Sequence, residues 1–222
     1  MKPSKLFLKL SQVSIALILF GLVACNTGQK KEKTTEAKVE QSESFFKLSL
    51  AQWSLHKAII QEKTLDPIDF AQKAKELGFE GLEYVSQLYR PNLAEGDDSQ
   101  KAMQNLLDTL KMKSEKYGME NVLIMIDGEG NLATPDEEER NQAVENHKKW
   151  VDAAAFLGCH SIRVNLSGSN EVAIWTASAV SGLKQLSEYA KPKNINIIVE
   201  NHGGLSSNAE FLSQVITNVG MD

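Results

Sequence analysis

Glycines spaced forty residues apart constrain this chain more than any other feature. Gly78, Gly118 and Gly158 each close a stretch with the apolar spacing of a helix, and a short apolar run of strand length begins within four residues of each. Residues 77–83 and 157–163 repeat the same junction, in which Leu-Gly leads into a strand. Strands that alternate with helices through short connections form a parallel sheet with right-handed crossovers.

Interpreted in the same way, the chain divides into five strand–helix units from residue 46 onward. Asp66-Pro67 begins the first helix, and Ser99 and Ser207 are the predicted N-caps of the second and the last. The predicted strands are 46–55, 82–85, 122–126, 162–166 and 195–199, and the predicted helices are 66–78, 99–117, 134–158, 172–190 and 207–219.

The α/β pattern favours a (β/α)8 TIM barrel over an open doubly wound sheet. A nucleotide-binding doubly wound sheet carries a glycine-rich loop after its first strand, and residues 54–57 contain no glycine. Residues 46–222 number 177, whereas a whole barrel has roughly 250. We therefore expect an incomplete barrel of the first five βα units, truncated at its C-terminal end. Its two open sheet edges would be exposed unless an oligomer covered them.

Residues 1–24 have the pattern of a secretory signal peptide, in which three lysines precede a short apolar run. The Leu-Val-Ala-Cys sequence at 22–25 resembles the bacterial lipobox, which implies lipid modification of Cys25. Residues 25–45 are polar and charged, which predicts a disordered, lipid-anchored linker. We expect an exported bacterial lipoprotein, anchored to a membrane through Cys25. Asn26 favours the outer membrane or the periplasmic face over the inner membrane.

The charge balance argues against nucleic acid as a partner. Without the three lysines of residues 1–24, 21 basic residues remain against 29 acidic ones, a net charge of −8. A nucleic-acid-binding surface needs clustered Lys and Arg to neutralise phosphates, and the sequence shows no such basic patch.

Polar side chains collect at the ends of the predicted strands, where parallel α/β proteins place their active sites. Glu200 and His202 follow the apolar run 195–199, and Arg163 and Asn165 alternate with apolar residues along the fourth strand. A buried charge is costly unless it is paired or bound to a metal, so we expect these groups to lie together. A divalent cation would account for Glu200, with His202 as a further candidate ligand.

Other polar residues have simpler interpretations. Asp127 and Glu129 fall in an Asp-Gly-Glu-Gly sequence, which is typical of a turn. His147 lies among lysines on a predicted helix and is expected to be exposed, and His160 begins a strand and is expected to be structural. Cys159 has apolar neighbours, which predicts a small core residue.

Three stretches, 77–83, 157–165 and 197–204, carry a resemblance to the xylose-isomerase-like TIM-barrel superfamily, the sugar phosphate isomerase/epimerase family. The resemblance runs from about residue 46 to the end of the chain. It implies a barrel that holds one divalent metal ion (Mn²⁺, Mg²⁺, Co²⁺ or Zn²⁺), with Glu200 as the ligand that ends strand five. The other ligands of the family lie on strands six to eight. We therefore expect residues up to 222 to coordinate the ion incompletely and to be inactive alone.

The resemblance also implies a reaction. The family's isomerases and epimerases act on a sugar or sugar phosphate by proton transfer through a metal-bound enediolate, which would make Glu200 both metal ligand and catalytic residue. From their positions, five further residues are predicted to bind the oxygens of a carbohydrate substrate: His56, Glu83, Arg163, Asn165 and His202.

Two alternatives remain open on the sequence. One is a non-catalytic carbohydrate-binding surface lipoprotein that keeps the barrel without the complete site. The other is a phosphodiesterase similar to endonuclease IV, which shares the fold. Acidic charge, the export signal and the absence of a histidine-rich pattern argue against the second, since the chain has only four histidines.

Overall fold

The computed structural model describes residues 45–93 and 99–221. The predicted signal peptide, the Cys25 lipidation site and all but the last residue of the linker 25–45 lie outside the described residues. Within the described ranges, no helix has both the length and the apolar character needed to cross a membrane.

Within the described residues, five parallel strands alternate with five α-helices, as predicted. The strands are β1 (Ser49–Ala51), β2 (Gly81–Val85), β3 (Glu120–Met125), β4 (Ser161–Val164) and β5 (Asn196–Val199). The helices are α1 (Phe70–Glu76), α2 (Ser99–Tyr117), α3 (Glu137–Leu157), α4 (Val172–Ala190) and α5 (Ala209–Val219).

The order of the strands in the sheet distinguishes the two fold classes. The strands lie side by side in chain order, β1-β2-β3-β4-β5, and every pair is parallel. A doubly wound sheet reverses its order at a switch point, whereas a barrel adds each strand to the same side of the one before. The sheet therefore has the connectivity of a TIM barrel over five βα units, which confirms the predicted fold class.

Several predicted boundaries differ from the structure by a few residues, and side-chain hydrogen bonds explain two of the differences. The first strand is not 46–55, because the chain turns into a 3₁₀ helix at Gln52. The Gln52 side chain is fully buried, accepts from the Val85 backbone N–H at 3.0 Å and donates to the Tyr89 hydroxyl at 2.8 Å. Asn208, not Ser207, caps the last helix, since its side chain accepts from two backbone N–H groups of the first turn.

The two faces of the sheet carry different side chains. Leu82 and Tyr84 point to the large core beneath the helices, and both are almost fully buried. Glu83 and Val85 alternate with them and face the concave interior of the sheet, because successive side chains of a strand point to opposite faces. The pairing of Glu83 with Leu123, and of Met125 with Arg163, places the next strands in register. The interior face thus carries Ala51, Glu83, Val85, Leu123, Met125 and Arg163.

The repeated glycines end helices, as the sequence predicts. Gly78, Gly118 and Gly158 have φ of 86°, 61° and 81°, the left-handed conformation of a helix C-terminus. Two further glycines permit close packing of backbone. A Cβ on Gly182 of α4 would lie 2.1 Å from the carbonyl oxygen of Leu132, and one on Gly168 would lie 2.0 Å from that of Ala133. The β3–α3 connection therefore packs directly against the backbone of α4 and of the β4–α4 connection.

The prediction that His147 is exposed is wrong. Its ring is 3% exposed and donates from Nδ1 to the carbonyl oxygen of Ala143 at 2.7 Å. Burial lowers the pKa of His147 because the charged imidazolium would lose its hydration. Cys159 is a buried core residue, as predicted, and burial raises the pKa of its thiol to about 12. His160 lies at the exposed start of β4, where Nδ1 is 2.6 Å from the Ser161 hydroxyl.

Candidate functional site

A cavity of about 700 Å³ opens at the carboxyl ends of the strands, on the concave side of the sheet. All five strands or the connections that follow them contribute to its wall, which is the position of the active site in barrels of this kind. Its charged and polar lining includes Glu83, Asp127, Arg163, Glu200 and His202, joined by Trp53, Ser54 and Gln87.

Arg163 on β4 connects the polar groups of this cavity. Its Nη1 donates to Asp127 Oδ1 at 3.1 Å and to Asn165 Oδ1 at 3.1 Å, and its Nε forms an ion pair with Glu200 Oε2 at 2.9 Å. Asn165 also donates to Asp127 Oδ1, at 2.7 Å. One guanidinium thus links a carboxylate after β3 to a carboxylate after β5. The Arg163 side chain is only 13% exposed, whereas Asp127 is 22% and Glu200 41% exposed, so the pair with Asp127 is the better shielded from water.

Glu200 occupies the position expected of a functional carboxylate. It directly follows β5, and its backbone N–H donates to the Val164 carbonyl, which continues the parallel pairing by one residue. The next turn closes with the His202 N–H donating to the Glu200 carbonyl at 2.9 Å. The Glu200 side chain remains 41% exposed and faces the cavity, so a ligand has access to it. His202 is exposed and also lines the cavity.

Glu83 lies on the interior face of β2 and lines the same cavity. It accepts a hydrogen bond from the hydroxyl of Ser49 on the adjacent strand β1. This bond holds one carboxylate oxygen against the wall, so the carboxylate is oriented before any ligand binds.

His56 does not line the cavity, although Trp53 does. The two rings are stacked, with centroids 4.8 Å apart and planes inclined by 14°, and His56 Nδ1 donates to the Trp53 carbonyl oxygen at 2.7 Å. His56 therefore packs against one face of the Trp53 ring and fixes its orientation. Trp53 is 42% exposed and offers the cavity an apolar ring face.

The structure thus brings together Glu83, Arg163, Asn165, Glu200 and His202, and it adds Asp127, which the sequence interpretation assigns to a turn. The backbone does bend after Asp127, but the side chain turns inward to Arg163 and Asn165. The signal was present in the sequence, because Asp127 directly follows the third strand. Its neighbour Glu129 has a different role, since it accepts from the Trp150 indole at 2.8 Å and pairs with Lys149 on α3.

The described residues do not form a complete metal site. Within 45–93 and 99–221, no three side chains of His, Cys, Asp or Glu come together as ligands. Glu200, the ligand implied by the resemblance, is paired with the Arg163 guanidinium instead. A cation with tight protein coordination needs three or more such donors. Glu200 is therefore a candidate metal ligand, but the described residues do not supply the further ligands that would complete the site.

The fold and the cavity define a β/α-barrel protein with a polar cavity at the carboxyl ends of its strands. A family model described as Xylose isomerase-like TIM barrel matches residues 71–222, more than half of the chain, and the chain belongs to this family. No curated protein matches the sequence.

Solved structures with a similar fold include three with sugar-related or metal-related names. They are 3-keto-D-glucoside 4-epimerase YcjR from E. coli (14% identity, TM-score 0.56), D-psicose 3-epimerase with D-tagatose from Clostridium cellulolyticum H10 (16%, 0.56), and the IolI protein with a bound zinc atom (15%, 0.59). The matches cover 71%, 78% and 79% of this chain. The chain spans about 60% of the length of these structures. At sequence identities of 14% to 16%, this similarity establishes the fold of the chain and nothing about its function.

Proposed function

We propose that this chain carries the substrate site of a sugar isomerase or epimerase. The observation that carries the proposal is the cavity at the strand ends, in which Arg163 joins two carboxylates beside an exposed tryptophan. Membership of the xylose isomerase-like family supports it, as do neighbours that are named as epimerases of a keto-glucoside and of D-psicose.

The residues of the cavity suit a sugar. The face of Trp53 would pack against the C–H groups of the ring, while Arg163, Glu83 and His202 would exchange hydrogen bonds with hydroxyl oxygens. Asn165 and Asp127 hold the Arg163 guanidinium in place, so its orientation does not depend on the ligand. His56 contributes indirectly, through Trp53.

The proposed step is proton transfer at a carbon next to a carbonyl group. A Glu200 carboxylate oxygen takes the proton, the C–H electrons form the carbon–carbon double bond of an enediolate, and the Arg163 guanidinium stabilises the negative oxygen. Protonation of that carbon on its other face requires a second acid and yields the epimer, whereas return of the proton from Glu200 to the neighbouring carbon, with transfer of the hydroxyl proton between the two oxygens, yields the isomer. Glu200 is therefore the proposed catalytic residue.

In this proposal, Glu200 is the one described residue that would bind a divalent metal ion. The described residues supply no complete ligand set, so the proton transfer above does not use the ion. If the ion is present in the whole protein, Glu200→Gln would lower the metal content measured by elemental analysis of the purified protein. Equal metal content in wild type and variant would remove Glu200 from the ligand set.

Hydrogen exchange would test the reaction directly. The whole protein, and not residues 1–222 alone, is incubated with ketoses such as D-fructose, D-psicose and D-tagatose in D₂O, and NMR follows the loss of the C3 proton signal. Exchange is expected with wild type and should fall at least 10²-fold in Glu200→Gln, the usual contribution of a general base. Glu188→Gln, an exposed glutamate of α4, is the matched control and should exchange normally. Full exchange in Glu200→Gln would refute the assignment.

The Arg163–Glu200 ion pair favours a second candidate, a carbohydrate-binding protein without catalysis. A carboxylate held by a guanidinium is less available as a base, and no metal triad lies beside it in the described residues. Calorimetry distinguishes the candidates: sugar binding without any exchange in D₂O would favour the binding protein.

The location is also a proposal. We propose that Cys25 carries a lipid and tethers the barrel to a bacterial membrane through the polar residues 26–45. Labelling of growing cells with an alkyne fatty acid should mark the wild type and not Cys25→Ala. Labelling of both proteins to the same extent would exclude this attachment.

A further inference from the structure

A second cavity of about 620 Å³ lies beside the first, between the connection that follows β1 and the connection that follows β2. Gln87 lines both cavities, so they share a wall at this residue. Both open at the carboxyl ends of the strands. The volume falls within the range of small-molecule sites in proteins.

The walls of the second cavity are largely apolar. Ile59 and Leu88 form its floor, and both are buried in a small core with Val85 and Met125 on the interior face of the sheet. Ile60 borders the cavity and is 48% exposed, so its side chain is accessible to an apolar group of a ligand.

Five polar residues line the cavity beside the apolar ones, Lys63, Asp66, Gln87, Arg90 and Asn92, and two of them are already engaged by other groups of the protein. Asp66 accepts from the backbone N–H of Ile68 at 2.9 Å, and Arg90 donates to the Gly128 carbonyl oxygen at 2.9 Å. The Arg90 bond also ties the β2–α2 connection to the β3–α3 connection. The cavity walls are therefore preformed, and the surface they offer to a ligand is mainly apolar.

We propose that this cavity is a subsite for an apolar, aryl-sized group attached to the sugar, so that the preferred ligand is a glycoside with a keto group on its sugar ring, because the anomeric carbonyl of a glycoside is blocked. The inference rests on the proposed function, because it places the sugar in the first cavity. An apolar group that leaves water for the walls around Ile60 and Leu88 gains about 25 cal/mol for each Å² buried. The bond that joins the sugar to the apolar group would lie beside Gln87, which lines both cavities.

Paired glycosides test the subsite. Calorimetry compares the methyl and phenyl glycosides of D-glucose, D-galactose and D-xylose, together with the free sugars, on the wild-type protein. For at least one sugar the phenyl glycoside is expected to bind about tenfold more tightly than the methyl glycoside. Ile60→Ser should remove most of this advantage and leave the methyl glycoside unchanged. Ile60 is half exposed, so its replacement is compatible with folding.

Ile216→Ser is the matched control, because Ile216 is 44% exposed on α5 and lines neither cavity. It should bind all the ligands as wild type does. Equal affinity for phenyl and methyl glycosides, or equal losses in the Ile60 and Ile216 variants, would overturn the subsite while leaving sugar binding intact. If no sugar or glycoside binds, both the subsite and the proposed function fail.

Discussion

The contact between Gly182 and Leu132 leads to a quantitative prediction about stability. In an ordinary helix, Gly→Ala raises the free energy of unfolding by about 1 kcal/mol, because alanine has the higher helix propensity. Here the added Cβ would lie 2.1 Å from the Leu132 carbonyl oxygen and 3.1 Å from its carbon. Both are backbone atoms, so relief requires movement of α4 or of the β3–α3 connection.

Overpacking of this kind costs about 1 to 3 kcal/mol, and a contact with backbone belongs at the upper end. After subtraction of the propensity gain, Gly182→Ala should lower the free energy of unfolding by about 2 kcal/mol. With a urea m-value of about 2 kcal/mol/M, the unfolding midpoint should fall by about 1 M. Circular dichroism of the full protein in urea measures this shift.

Ser181→Ala provides the comparison on the same helix. It adds helix propensity without placing an atom near Leu132, so its midpoint should equal or slightly exceed that of wild type. A Gly182→Ala protein that is as stable as wild type, or more stable, would refute the argument. It would mean that the connection adjusts to the methyl group at negligible cost.

Three further predictions concern charge and titration. Arg163→Met leaves two carboxylates without their shared cation and should lower the free energy of unfolding by about 2 kcal/mol. Arg163→Lys keeps the positive charge and should lower it less. Equal losses of stability in the two variants, measured by urea unfolding, would contradict a role for the charge. The pKa of His147 is lowered by burial, so below the unfolded value near 6.5 the unfolded state binds more protons, and stability should fall as pH drops from 7 to 5. His147→Gln should flatten that decline, and an unchanged slope in His147→Gln would contradict the assignment of the decline to this buried histidine. With a thiol pKa of about 12, Cys159 should resist a thiol reagent at pH 8 in a Cys25→Ala protein until urea unfolds it, and rapid native labelling would show that the site opens.

The fold could be predicted because its signals are local. Helix-ending glycines, apolar runs of strand length and capping residues such as Asp66 depend on neighbours within a few positions, and each predicted unit is present. One failure lies where a distant partner decides. Gln52 ends β1 early because its side chain bonds to groups on and after β2, more than thirty residues away.

The outline of the candidate site could also be predicted from local signals in the sequence. Glu200, Arg163 and Glu83 stand out because polar residues interrupt apolar strands. Asp127 follows the predicted third strand, but its Asp-Gly-Glu-Gly sequence also predicts a turn, and the contact of its carboxylate with β4 depends on the tertiary structure. His147 has lysines as neighbours along the chain, but the inward stripe of α3 passes through it at the spacing Ala143, His147, Trp150. Helical spacing, applied strictly, would have placed it inside.

The sequential order of the strands has a consequence for the kinetics of folding. Ser49 pairs with Gly81, 32 residues later, and Gly81 pairs with Glu120, 39 residues later. Loop-closure entropy grows only with the logarithm of loop length, so these two pairings differ by about 0.2 kcal/mol. No pair of strands is favoured to meet first on entropic grounds. The place where the sheet nucleates is therefore decided by side-chain packing, and during synthesis the N-terminal pair has the first opportunity to form.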